Sequence, residues 1–180
     1  MLIELEIDSV RMSVRNYSRV VILREKGADR YLPIYIGSHE ADAIVHRLQE
    51  LSVARPLTHD LLANTIAELG ASVDSIVVVD MSDDIFYARI RLKQNGRSLE
   101  IDSRPSDAIA LAVRAEVPIY VEEEVLESHG MRLDEEGQLE DGAKAPSAVT
   151  AEELEKLSAF TEFISELDLD DLGARERDED

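Results

Sequence analysis

Three short stretches of this chain place ionisable side chains where an element is about to begin. In Asp102-Ser103-Arg104-Pro105-Ser106-Asp107, Asp102 and Asp107 are oxygen ligands suited to a hard divalent cation. Arg104 carries the planar donor fork that grips phosphate. Arg104 stands beside the first turn of a helix, where a cation opposes the macrodipole. Local rules of this kind tend to be broken where a residue serves function. The same residues also read as a dipole-matched aspartate with a local ion pair. In Gly37-Ser38-His39-Glu40-Ala41-Asp42, His39 is a proton carrier near neutral pH and Glu40 a carboxylate; an exposed first turn is the simpler alternative. In Arg55-Pro56-Leu57-Thr58-His59-Asp60-Leu61, His59 and Asp60 offer a base and a carboxylate side by side. Adjacent helical residues do not face each other, so a direct His59–Asp60 pair is not expected.

The elements that must carry these groups follow from the hydrophobic period. Ile3, Leu5 and Ile7 alternate in one phase and Val10, Met12 and Val14 in the other, predicting a strand with a bulge near Ser9. Arg19 to Arg24 and Tyr31 to Ile36 predict two more strands, with Pro33 confining the latter to an edge or bulge. Ala41, Ile44, Val45, Leu48 and Leu51 mark a helix face with Ser38 as its cap. Leu61, Leu62, Thr65, Ile66 and Leu69 mark another, capped by Thr58 and ended by Gly70. Val73 to Val79 and Phe86 to Lys93 are strands, and Asn95-Gly96 is a hairpin turn leading to Leu99 and Ile101. Pro105 to Arg114 is a helix with proline in its first turn. Ile119 to Val121 is extended, and a helix starts at Glu122.

At an offset of 65, Ile34, Ile36, Ser38, Asp42, Ala43 and Ile44 align with Leu99, Ile101, Ser103, Asp107, Ala108 and Ile109. This predicts an α+β fold of two pseudo-repeats, about 1–70 and 71–130, each of about three strands and two helices. His39 then occupies the position of Arg104, and pseudo-symmetry is able to bring the two helix starts to one cleft. Residues 131–150 read as an acidic linker, 151–168 as an amphipathic helix, and 169–180 as a disordered acidic tail.

Composition narrows the chemistry. The 180 residues include no cysteine, which excludes thiolate catalysis and sulfur-ligated zinc. No apolar run is long enough to span a bilayer, and the acidic N-terminus lacks the basic start of a signal peptide, so a cytoplasmic protein is expected. The net charge of −20 is uneven: residues 1–120 carry 18 acids and 14 bases, so their share is only −4. Nucleic acid is therefore not excluded as a partner. Arg11 and Arg15, with Tyr87, Arg89, Arg91 and Lys93, form a basic strip if both sets share a sheet face; a solvated face balanced by acids is the alternative. GxxxxGK[ST], GxGxxG, HExxH and GxSxG motifs are all missing. A phosphodiesterase using carboxylates and Mg²⁺ or Mn²⁺ remains open.

The runs LPIYIGSHEADAI (Leu32 to Ile44), RPLTHDL (Arg55 to Leu61), LGASVDSIVVVD (Leu69 to Asp80), FYARI (Phe86 to Ile90) and IDSRPSDAIALAVR (Ile101 to Arg114) together resemble the bifunctional nuclease domain family over residues 1–130. The resemblance implies a bacterial cytoplasmic protein with a duplicated α+β fold that cleaves DNA and RNA. The segment Leu154 to Gly173 resembles a tail carried by bacterial members. Site roles do not come with the resemblance. From chemistry alone, Asp102 and Asp107 are expected to hold Mg²⁺ or Mn²⁺ or act as general base, and Arg104 to clamp the transition-state phosphate. His39, Glu40, His59 and Asp60 are secondary candidates. The competing expectation is a non-enzymatic module that binds an anion or a partner, and exposed strand edges make a homo-oligomer a third possibility.

Overall fold

The structure, a computed structural model, describes residues 1–12 and 18–132. Those residues all belong to one compact unit. The expected linker beyond residue 132, the helix at 151–168 and the acidic tail lie outside the described residues.

Seven strands and four helices make an α+β unit. In chain order they are β1 (Leu2–Met12), β2 (Arg19–Glu25), β3 (Tyr31–Ile36), α1 (Ser38–Leu48), α2 (Thr58–Glu68), β4 (Ala71–Ser82), β5 (Ile85–Gln94), β6 (Arg97–Ser103), α3 (Pro105–Ala115), β7 (Ile119–Glu122) and α4 (Glu123–His129). The sheet runs β3-β2-β1-β7-β4-β5-β6. Two antiparallel meanders, β1 to β3 and β4 to β6, are joined by β7, which is antiparallel to β1 and parallel to β4.

Local chemistry accounts for the details. The register of β1 against β2 shifts between Ile7 and Ser9, where the apolar alternation changes phase. Pro33 lies on β3, an edge strand, where its missing N–H costs no interior ladder bond. Asn95 and Gly96 both have positive φ, the geometry of a tight hairpin. Asp83 and Asp84 do the same between β4 and β5. Gly70 takes φ +73 where α2 ends.

Two caps differ from expectation. Ser38 and Thr58 are the first helical residues, and the caps are Gly37 and Leu57, neither offering a side-chain bond. At α2 the loss is offset from inside the helix, since the Leu57 N–H donates to Asp60 Oδ2 at 2.7 Å.

The core is continuous. Val21, Leu23, Leu32, Ile44, Ile76, Val78, Ile109, Leu111 and Val121 are fully or nearly fully buried within it. Helix α3 is its centre: Pro105, Ser106 and every residue from Ala108 to Ala112 are buried. Helices α1 and α2 both pack on α3. The alternation of Leu99 and Ile101 predicted a strand, and β6 is one, but both side chains are substantially exposed because β6 lies beyond the helical cover.

Candidate active site

Because α1 and α2 both pack on α3, residues near the starts of the three helices meet. Arg104, in extended conformation at the cap of α3, turns back over its own first turn and donates from Nε to Asp107 Oδ2 at 2.7 Å. Its Nη2 reaches across to Glu40 Oε1 on α1, also at 2.7 Å. The other oxygen of Asp107, Oδ1, lies 3.0 Å from His59 Nε2 on α2. Glu40, Arg104, Asp107 and His59 thus form one unbroken chain of contacts across three helices.

Space for it is arranged locally. A Cβ at Gly37 would run into the Glu40 carboxylate, so a glycine cap leaves that carboxylate room to fold back. His59 is enclosed, with only 10% of its side chain exposed, whereas Arg104 keeps 67%. The network therefore has a sheltered imidazole at one end and an open cation near the other.

Behind it lies a second, deeper bridge. Arg114 on α3 has just 5% of its side chain exposed. Its Nε donates to Asp60 on α2, and its Nη1 donates to the carbonyls of Ala43 on α1, at 3.1 Å, and Ala110, at 2.8 Å. One guanidinium thus ties together all three helices. As the adjacent-residue geometry requires, His59 and Asp60 do not pair with each other: each takes its partner from α3.

The carboxyls titrate below their ordinary values. At Asp107 burial is the largest influence and acts upward, but hydrogen bonds from Arg104 and His59 and their charges outweigh it. At Asp60 burial is again largest and upward, overcome by the Leu57 N–H and Arg114. Glu40 is lowered first by its own backbone N–H and then by Arg104, against burial. Each group binds fewer protons folded than unfolded, so the stability it contributes is present above the ordinary carboxylate range and lost as pH falls through the lowered value. Urea unfolding between about pH 7 and pH 3 is expected to show stability falling with acidification. Asp107→Asn should flatten that slope, and an unchanged slope would remove Asp107 from the linkage.

The remaining candidates stand apart. His39 is exposed and makes none of these contacts. Asp102 is exposed on β6, opposite Arg89 in the ladder. Both oxygens of Asp107 are held, by His59 and Arg104, and Asp102 makes none of these contacts. No group of three His, Asp or Glu suited to a metal occurs among the described residues. These side chains, as placed, do not fit a divalent-metal centre, so no chemical step is derived through one.

Every described base of the basic strip has a carboxylate partner. Arg89 and Arg91 both bind Glu100, at 2.8 and 3.0 Å. Lys93 binds Asp74, and Arg11 lies 3.6 Å from Asp8. Arg15 lies outside the described residues. An open depression of about 560 Å³ adjoins Arg89 and Arg91, but Asp80, Glu100, Glu122 and Glu124 also line it. Four carboxylates against two arginines make a poor phosphate cradle, so the depression is no rival to the helix-start cluster.

The bifunctional nuclease domain matches residues 21–134. An uncharacterized protein of Mycobacterium tuberculosis (strain H37Rv) is 40% identical over 171 residues, covering 95% of this chain and 98% of its own length. Bifunctional nuclease 2 of Arabidopsis thaliana is 27% identical over 143 residues, 78% of this chain and 44% of the plant protein. Bifunctional nuclease 1 of the same plant is 29% identical over 129 residues, 70% of this chain and 40% of its own. The chain thus spans less than half the length of these plant relatives.

Proposed function

Since the chain belongs to the bifunctional nuclease domain family, we propose that it is a cytoplasmic nuclease hydrolysing phosphodiester bonds in DNA and RNA, with its reacting centre where the three helix starts meet. The observation that carries this reading is the unbroken Glu40–Arg104–Asp107–His59 chain, which couples an open cation to a carboxylate-oriented imidazole.

Each residue has a role. Arg104 spends Nε on Asp107 and Nη2 on Glu40, leaving the Nη1 protons for a non-bridging phosphate oxygen. Held from both sides, it loses little freedom on meeting that oxygen. Asp107 at Nε2 favours the tautomer with the proton there, so His59 Nδ1 is the free base. It takes a proton from the attacking water as oxygen adds to phosphorus. The phosphorus–oxygen bond to the leaving strand breaks, its oxygen takes a proton from solvent to become a hydroxyl, and the His59 imidazolium gives its proton back to solvent. Asp60 and Arg114 hold α2 in place and touch no substrate.

A second reading, an anion- or partner-binding module without turnover, is favoured by the enclosure of His59. Labelled single- and double-stranded DNA and RNA, incubated with purified protein in Mg²⁺, Mn²⁺ or EDTA, separate the two. Cleavage that falls by about 10²–10³ in Arg104→Ala is the expected result. Equal cutting by the variant would move the site elsewhere. Binding of nucleic acid without cutting under every condition would favour the module, and EDTA reads directly whether an added metal takes part.

A further inference from the structure

The sheet has two edges, and they are treated differently. The β3 edge contains Pro33, and its first residue, Tyr31, bridges to Met131. The β6 edge, RSLEIDS, has no proline, lysine or bulge; of the devices that blunt an open strand it carries only the charges of Arg97, Glu100 and Asp102. Among the described residues nothing pairs with its outer side. Leu99 and Ile101 stand opposite Leu92 and Ile90 on β5. The β5 pair is buried, while Leu99 and Ile101 are 42% and 46% exposed. The apolar row of the sheet thus runs past its last covered strand into solvent.

The strand is complementary to itself in one register. A two-fold axis normal to a sheet keeps each face on its own side, so antiparallel copies pair only residues of like parity. Centred on Glu100, the pairing sets Leu99 against Ile101 and Ile101 against Leu99, with Ser98 against Asp102. The neighbouring registers set Arg97 against Ile101, or Glu100 against Asp102. In the favoured one the two Glu100 carboxylates meet, but each is already held by Arg89 and Arg91. The two carboxylates are then set among four guanidiniums, so the acids are screened and the cluster at the axis carries a net positive charge. Apolar matching, with Leu99 against Ile101 on both sides of the axis, selects this alignment.

We propose that the β6 edge is an interface with a second copy of this chain, the two pairing antiparallel about Glu100 to join two seven-stranded sheets into one. This stands independently of the nuclease reading.

The chain's lack of cysteine makes the register directly testable. Glu100→Cys faces its own copy across the axis, at the close spacing of directly opposed strand residues. Mild oxidation of the full chain should give a covalent dimer on a non-reducing gel. Ser98→Cys alone should not, while Ser98→Cys combined with Asp102→Cys should. In sedimentation equilibrium the unmodified chain should be a dimer, and Ile101→Lys a monomer with unchanged circular dichroism. A monomeric unmodified chain, as when residues 133–180 cover the edge, would overturn the proposal. So would a dimer indifferent to Ile101→Lys, or Ser98→Cys cross-linking as readily as Glu100→Cys.

Discussion

Replacing His59 with Gln is expected to slow phosphodiester cleavage by about 10²–10⁴-fold with the fold intact. Glutamine fills similar space and still offers Asp107 a hydrogen bond, but it cannot take up a proton. Asp107→Asn is expected to act on the same step. It leaves the imidazole in place while removing the charge that favours the Nε2–H tautomer. Residues acting as a unit are non-additive, so His59→Gln combined with Asp107→Asn should be little slower than the worse single variant. Single-turnover cleavage of one labelled oligonucleotide, with circular dichroism as the control for folding, measures all three. Undiminished cleavage by folded His59→Gln would end its role as base.

The largest effect on stability is expected at Arg114. Its guanidinium is nearly enclosed and serves a carboxylate and two carbonyls on three different helices. Arg114→Met leaves Asp60 charged and without its cation. Because Asp60 is 29% exposed and keeps the Leu57 N–H, the cost is expected between about 1 kcal/mol, as for an exposed pair, and about 3–5 kcal/mol, as for a fully buried one. The midpoint of urea unfolding reads this directly. Because much of the cost is the stranded charge, adding Asp60→Asn to Arg114→Met should recover part of it. A loss of under about 1 kcal/mol, the range of exposed pairs, would mean that water replaces the guanidinium.

Most of the fold is legible in the sequence because its signals are local. The phase change at Ser9, the proline of β3, the Asn95-Gly96 turn and the helical period of residues 105–114 each act within a few residues. The site is legible only in its parts. Alignment of the two helix starts anticipated that they would share a cleft, and Glu40 and Arg104 do meet. His39, the aligned counterpart of Arg104, does not join them. His59 was read beside Asp60, its neighbour, but its carboxylate partner is Asp107, 48 positions away. That pairing depends on the packing of α2 on α3, which no local pattern encodes. Arg114 closes the helical period that starts at Pro105. Its spacing of seven from Asp107 puts both on one helical face and was the available clue. Leu99 and Ile101 show the opposite limit: alternation identifies a strand, but whether a helix covers it is decided elsewhere in the chain.

The place of β7 has a consequence for how the molecule is built. Leu5, near the start of the chain, lies opposite Ile119, and the same short strand holds β4 on its other side. A growing chain that has emerged as far as Glu116 possesses both meanders and every helix of the candidate site, yet lacks the strand that unites them. Until then β1 presents Ile3 and Leu5 on an open edge. Closing so long a loop carries an entropic cost that local hairpins avoid. The halves are thus made early and joined late, and four residues, Ile119–Glu122, convert two small sheets into one.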